Sequence, residues 1–249
     1  MTDCVLNPVR LRGEPEIQGP CLCFVNPGDT AFVRKEAEQH KARRHHLFHS
    51  NLYELSGTPS VFWAGPAMGA PAAVLCLEKL IACGADKVLV FGICGSLAAN
   101  LKIGDVFIPT WCRSEEGTSV HYSRDPDRPS TNSQFREDLV AYLKKKQFNF
   151  LHGPIWTTDA PYRETKNKVK KYSEEGIMAV DMELSALAAV AHFRNIQLAA
   201  ALLVSDELST LEWRSGYTHK ILKQNRTALF HILNKFLQQE ARKYLAASN

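Results

Sequence analysis

The ten residues Lys87-Val88-Leu89-Val90-Phe91-Gly92-Ile93-Cys94-Gly95-Ser96 decide how this chain is read. Lys87–Phe91 is a short apolar run without a polar face, as expected of a strand buried on both sides. It delivers the chain to Gly92-x-x-Gly95-Ser96, where missing side chains let backbone approach a ligand and leave amides free to donate. The spacing is not that of a phosphate-binding Walker loop, because no Gly-Lys-Ser/Thr follows. It also lacks the G-x-G-x-x-G dinucleotide pattern. On spacing alone, a tight structural turn and a ligand cradle remain equal alternatives.

Outward from this run, strand and helix patterns alternate. Upstream, Cys21–Val25 reads as a strand that stops at Asn26-Pro27-Gly28-Asp29, and a charged helix follows to about Arg44. Leu47–Leu55 and Ser60–Ala64 read as strands around the turn Ser56-Gly57-Thr58-Pro59. Ala70–Cys83 carries a helical apolar stripe that ends at Gly84. Downstream, Val106–Trp111 reads as a strand and Arg113–Ser133 as a mobile polar surface loop with Pro126 and Pro129. Helix over Ser133–Lys146, strand over Phe148–Thr157 and helix over Thr165–Ser173 follow. The chain then gives strand Ile177–Val180, helix Glu183–Phe193, strand Ile196–Val204 and a long helix Gly216–Tyr244. No repeat, linker or composition break divides it. The expectation is one α/β domain with a central mixed twisted sheet flanked by helices, spanning 21–249, with 1–20 an unassigned N-terminal extension.

Composition narrows the class without naming a function. A chain of 249 residues, 45% hydrophobic and 22% charged, is long enough to bury a full core. A net charge of +4 is too weak to imply nucleic acid or an anionic membrane. The seven cysteines form no C-x-x-C pair, and Cys21 and Cys23 have same-face strand spacing, which suits packing. No apolar stretch approaches the ~20 residues of a membrane helix. Met1–Asn26 has no leader pattern, so a cytoplasmic location is expected. His45, His46 and His49 fit no standard zinc spacing and read as a solvated or interface strand. The basic runs at 144–146 and 166–171 read as solvated helix faces.

Ligands in open α/β sheets gather at the carboxyl ends of strands. Four such ends carry polar chemistry: Gly28-Asp29, Gly92-x-x-Gly95-Ser96, Asp181-Met182-Glu183 and Ser205-Asp206-Glu207. Asp206 stands at the mouth of a long apolar strand, where desolvation would favour its protonated form and suit a general acid. A hydrogen-bonded structural role is the commoner fate of such an Asp.

These motifs together carry a resemblance. Met68-Gly69-Ala70-Pro71, Gly92-Ile93-Cys94-Gly95-Ser96-Leu97, Ile103-Gly104-Asp105-Val106, Val180-Asp181-Met182-Glu183 and Ser205-Asp206 resemble, in order, the nucleoside phosphorylase family. That family holds purine nucleoside and uridine phosphorylases and the methylthioadenosine/S-adenosylhomocysteine nucleosidases. The likeness runs from about 21 to 235 and does not reach residues 1–20.

The resemblance implies cleavage of an N-glycosidic bond, by phosphate or by water, without metal or organic cofactor. Glu183 would bind the ribose hydroxyls and Met182 pack on the sugar, while Asp206 would serve N7 of a purine as it leaves. Within Thr157–Thr165, Tyr162 would stack on the base and Arg163 contact it. Gly28, Gly95 and Ser96 would hold phosphate, helped by Arg44 from a neighbouring subunit of a dimer or hexamer. The chain departs from the family at this phosphate side. Val90, Ile93 and Phe32 stand where phosphorylases place Arg, Ser or Thr, and Arg. Arg34, Arg43 and Arg44 are the candidates to compensate. The hydrolytic members' Glu in the first loop and Ser in the Gly segment are missing as well. Phosphorolysis of a purine nucleoside is the leading reading, with hydrolysis or a non-catalytic nucleoside-binding protein as alternatives. No nucleic acid or membrane partner is implied.

Overall fold

Alternate residues of three apolar strands divide cleanly between two cores. Cys21, Cys23, Val88, Val90, Leu198, Ala200 and Leu202 pack into one, and Leu22, Phe24, Leu89, Phe91, Ala199, Ala201 and Leu203 into the other. A strand with a core on each side has no use for a polar residue, which explains the unbroken apolar runs. The computed structural model describes residues 4–47, 49–57, 60–123 and 128–247.

The elements in chain order are β1 (Cys21–Phe24), α1 (Thr30–Gln39), β2 (Arg43–Leu47), β3 (Ser50–Glu54), β4 (Phe62–Gly65), α2 (Ala70–Ala82) and β5 (Lys87–Ser96). Then come β6 (Val106–Glu115), α3 (Ser133–Lys145), β7 (Leu151–Thr158), α4 (Lys166–Glu174) and β8 (Ala179–Asp181). The last are α5 (Leu184–Arg194), β9 (Gln197–Glu207), β10 (Arg214–Ser215) and α6 (Lys220–Ala247). Helices α2 and α5 cover one face, and α1, α3 and α6 cover the other. Phe230 of α6 packs edge-on against Phe32, Trp63 and Phe91 at centroid distances of 5.1, 4.8 and 5.7 Å. Truncating a buried ring of this kind costs about 3–5 kcal/mol.

The mixed sheet has the order β10-β9-β6-β7-β8-β5-β1-β4-β3-β2, with a further pairing of β9 to β5. That pairing closes β5, β9, β6, β7 and β8 into a ring, while β1, β4, β3 and β2 extend it as an open wing. The central mixed sheet flanked by helices is the one expected, and five of its strands close on themselves. Pairing of β5 with β9 is parallel and shifts register between Cys94 and Gly95, so that Gly95 lies opposite Asp206.

Several boundaries differ from the sequence reading. The helix after Asp29 ends at Gln39, and Arg43–Leu47 is the outer strand of a hairpin with β3. Leu47–Leu55 thus holds the last residue of β2 and the whole of β3; Phe48 lies outside the described residues, as do Thr58 and Pro59 of the expected turn. Strand β6 continues to Glu115, and Glu116 and Ser119 beyond it are buried, so the start of the expected 113–133 surface loop is structural. Arg124–Asp127, with Pro126, lie outside the described residues. Residues before β1 run along α2: Lys79 Nζ donates to the carbonyl of Val9 at 2.6 Å and pairs with Glu14 at 2.7 Å. Ile17 enters the core beside Cys83. All seven cysteines are free thiols, and Cys21 and Cys23 share one packed face as their spacing predicts.

Candidate active site

The Gly92–Ser96 segment is neither a turn nor a loop. It is the carboxyl half of β5, paired on both edges: Gly95 and Ser96 lie opposite Val180 and Ala179 of β8, and opposite Asp206 and Glu207 of β9. Gly95 is required here for space. A Cβ on it would meet Leu208 Cδ1 at 2.8 Å and both Asp206 Oδ2 and Val180 Cγ1 at 3.1 Å. The missing side chain lets the ends of β8 and β9, with their acidic residues, close around β5.

On the β8 side, the buried Asp181 carboxylate accepts Thr157 Oγ1 at 2.6 Å and the amides of Leu184 and Glu183 at 2.8 and 3.3 Å. It thereby holds the first turn of α5 where orphan amides need a partner. A second buried acid, Glu116, accepts Ser185 Oγ at 2.9 Å, while the Ser185 amide donates to Thr157 Oγ1 at 3.1 Å. This frame presents Glu183, itself 5% exposed, to the N-terminus of α2. Gly69, whose φ of +84° suits glycine, donates its amide to Glu183 Oε1 at 2.6 Å. Burial, and after it the charge of Asp181, pushes the Glu183 carboxyl up. Met182 beside it is half-buried.

On the β9 side, Asp206 lies within the strand, half-buried rather than sealed. Its Oδ2 accepts Trp213 Nε1 at 3.0 Å and its Oδ1 accepts Ser205 Oγ at 2.6 Å. Strand β10 pairs back on β9, with Ser215 opposite Asp206, and so fixes Trp213 over the carboxylate. Tyr162 and Arg163 sit on the 3-10 turn Pro161–Arg163, and both are exposed. The residue of that segment that turns inward is Glu164, which the sequence reading passed over. Burial and then the charge of Asp206 push its carboxyl up to about 7. Its only sequence signal is an acid directly after two candidate base contacts.

The expected phosphate groups are largely engaged elsewhere. The Gly28 amide donates to Asn26 Oδ1 at 2.9 Å. Ser96 is fully buried, and its hydroxyl donates to the Ala98 carbonyl at 3.0 Å. Val90 is core, 1% exposed, and Ile93 packs against the core on the other face. Arg44 is on β2, four strands from β5 along the sheet, and its Nε donates to Asn51 Oδ1 at 2.9 Å. Arg43 is exposed on the same strand, and Arg34 faces Glu38 at 4.0 Å on the surface of α1. The chain thus does not bring Arg44 to its own site.

A guanidinium does reach the loop after β1, from an unexpected direction. Arg226 of α6 pairs with the fully buried Asp29 at 3.0 Å and lies over the Phe32 ring, 5.5 Å from its centroid. Asp29 Oδ2 and Arg226 Nε are buried without a hydrogen-bond partner. Burial pushes the Asp29 carboxyl up to about 6 even though the Arg226 charge opposes it.

The sequence profile of the phosphorylase superfamily matches residues 22–238. The chain belongs to the phosphorylase superfamily. A guanosine phosphorylase from Halorubrum lacusprofundi is 28% identical over 141 residues, covering 57% of this chain and 58% of that protein. A DeoD-type purine nucleoside phosphorylase from Bacillus cereus is 28% identical over 150 residues, 59% of this chain and 64% of its own. The chain therefore spans less than two thirds of the length of these curated relatives. In fold, it is similar to the purine nucleoside phosphorylase of Toxoplasma gondii solved with immucillin-H, with a TM-score of 0.82 and 20% identity over 98% of this chain and all of that one. It is also similar to a uridine phosphorylase from Vibrio fischeri, with a TM-score of 0.76 and 17% identity over 90% and 92% of the two chains. Among the described residues of this superfamily member, no helix is long and apolar enough to cross a membrane. No group of three or more His, Cys, Asp or Glu among them is set to hold a metal ion.

Proposed function

We propose that the protein cleaves the N-glycosidic bond of a purine ribonucleoside by phosphorolysis, a pentosyl transfer to phosphate. The observation that carries this reading is the placement of Glu183 and Asp206 at the ends of β8 and β9, on either side of Gly95. As the bond breaks, the sugar becomes cationic and the base anionic. The two ends of the substrate thus need opposite help. Glu183 accepts the ribose hydroxyls beside the sugar that becomes cationic, with Met182 against the ring. Asp206 faces the departing base at N7. Tyr162, Trp213 and Tyr217, all largely exposed, are available to stack on a flat base. Phosphate enters near Gly28 and Gly95, and no cofactor takes part. Arg44, far from its own site, serves a neighbour's in a dimeric or hexameric cytoplasmic enzyme.

One observation favours hydrolysis as the second reading. Phe32, Val90 and Ile93 are apolar, and the Gly28 amide and Ser96 hydroxyl are already bonded, so few groups are free to replace phosphate's hydration. The test is to incubate the protein with inosine, guanosine, adenosine, methylthioadenosine and uridine, each with and without phosphate, and identify the sugar. Ribose 1-phosphate formed only with phosphate is the expected result. Free ribose in both arms assigns hydrolysis instead, and nucleoside binding without turnover assigns a binding protein.

A further inference from the structure

The hydrogen-bonding capacity of Glu116 is fully used inside the fold. The residue directly follows β6, in the segment that the sequence reads as surface loop, and it is 5% exposed. Its Oε1 accepts Ser114 Oγ and Ser185 Oγ, both at 2.9 Å, and its Oε2 accepts the Thr118 amide. The Ser119 amide lies between the two oxygens, at 3.2 and 3.0 Å. These donors fill the roughly four lone-pair positions of a carboxylate and leave none for a substrate hydroxyl. Ser114, Thr118 and Ser119 tie down the segment around Glu116 itself. Ser185 belongs to α5, and from it the connection runs to Glu183. The Ser185 amide donates to Thr157 Oγ1 at 3.1 Å, and the Thr157 hydroxyl donates to Asp181 Oδ1 at 2.6 Å. Asp181 Oδ2 accepts the amides of Leu184 and Glu183 at 2.8 and 3.3 Å. Each hydroxyl on this path has its one proton committed, that of Ser185 to Glu116 and that of Thr157 to Asp181. The first turn of α5 is thus gripped through its backbone by Asp181 and through a side chain by Glu116. Across from it the Gly69 amide meets Glu183 Oε1 at 2.6 Å, a fit that a small rotation of that turn would undo.

We propose that Glu116 is a positioning residue that sets a preference for ribose over 2′-deoxyribose, by holding Glu183, through Ser185, where it accepts the sugar hydroxyls. The inference rests on the nucleoside-cleaving reading. A site built to bond a substrate hydroxyl discriminates against the analogue that lacks it. That discrimination lasts only while the acceptor stands within hydrogen-bond reach, and a displacement on the order of 1 Å costs about 10²-fold. A substrate without the 2′-hydroxyl has less to lose from the same displacement.

The experiment measures kcat/KM, with phosphate, for inosine, guanosine and adenosine, each beside its 2′-deoxy form. The proteins compared are the parent, Ser185→Ala, Glu116→Gln and the double variant. Ser185→Ala cuts the path and leaves Glu116 its bonds to Ser114, Thr118 and Ser119, so it separates positioning from the folding of that segment. The parent should prefer the ribonucleoside. Each single variant should lose about 10- to 10²-fold on the ribonucleoside and about threefold or less on the 2′-deoxy form. The double variant should be no worse than the more impaired single, because both changes cut one path. Should Glu116→Gln not fold, Ser185→Ala decides alone. Parent-like kinetics in Ser185→Ala overturn the proposal, and so does an equal loss on both sugars, which is what a merely structural role produces. Additive losses in the double variant, or a parent indifferent to the 2′-hydroxyl, overturn it as well. A parent that cleaves none of these nucleosides overturns the nucleoside-cleaving reading itself, and the role of Glu116 with it.

Discussion

The buried pair Asp29–Arg226 yields a prediction that needs no substrate. Asp29 is fully buried and capless at the start of α1, and its carboxyl is raised from an ordinary 3.8 to about 6. Two units, at about 1.4 kcal/mol each, amount to about 3 kcal/mol between the protonated and ionised states. Because the folded value lies above the unfolded one, the folded chain binds this proton more tightly. The contribution is fully present below about pH 4 and is lost as pH rises through about 6. Asp29→Asn keeps the shape and removes the titration. Unpairing Arg226 costs the same at every pH, since a guanidinium does not titrate in this range, and so cancels between two pH values. The stability of Asp29→Asn minus that of the parent should therefore climb by about 2 kcal/mol from pH 4.5 to 7.5. Urea unfolding across that range measures it. A flat difference would show that Asp29 titrates normally, and a falling one that the Arg226 charge outweighs burial; either result refutes the reasoning.

Other outcomes test the site directly. Asp206→Asn should slow purine nucleoside cleavage by about 10²-fold or more, seen as a loss of kcat in a steady-state assay. Near-parent turnover would remove Asp206 from the chemistry. Glu183→Gln should abolish ribonucleoside cleavage, and it should also be more stable than the parent above neutral pH. Burial raises the Glu183 carboxyl, so the parent loses stability as pH climbs while the amide does not. Gly95→Ala forces a methyl against Leu208, Val180 and Asp206 and should cost about 1–3 kcal/mol of stability while displacing Asp206 from Trp213. A Tm and kcat equal to the parent's would show that the strand ends yield freely.

The buried strands were legible because their physics is local: a run such as Lys87–Phe91 has no alternative to a two-sided core. Glu183 and Asp206 stand out as candidates because each comes within three residues of the end of such a run. The strand character of Gly92–Ser96 was not, since two glycines look like a turn until both partner edges, separated by some 85 to 110 residues, are known. Arg43–Leu47 was hidden for the opposite reason. It is an exposed edge strand whose charged residues carry no period-two pattern. Glu164 and Arg226 gain meaning only from what faces them, Asp206 in one case and Asp29 in the other, and no spacing rule connects such distant positions.

The ring of β5, β9, β6, β7 and β8 also sets an order for the chain's emergence during synthesis. Its last member to be made is β9, which supplies both the second partner of β5 and Asp206. A nascent chain that has passed Ser96 must therefore hold one edge of β5 unpaired for about a hundred more residues, some five to twenty seconds at ordinary elongation rates. Throughout that interval the Lys87–Phe91 edge is an apolar template open to another strand. The same closure that presses Asp206 against Gly95 makes this side of the candidate site the last part of the ring to exist, so that any chain broken off before β9 lacks Asp206 and exposes its stickiest edge.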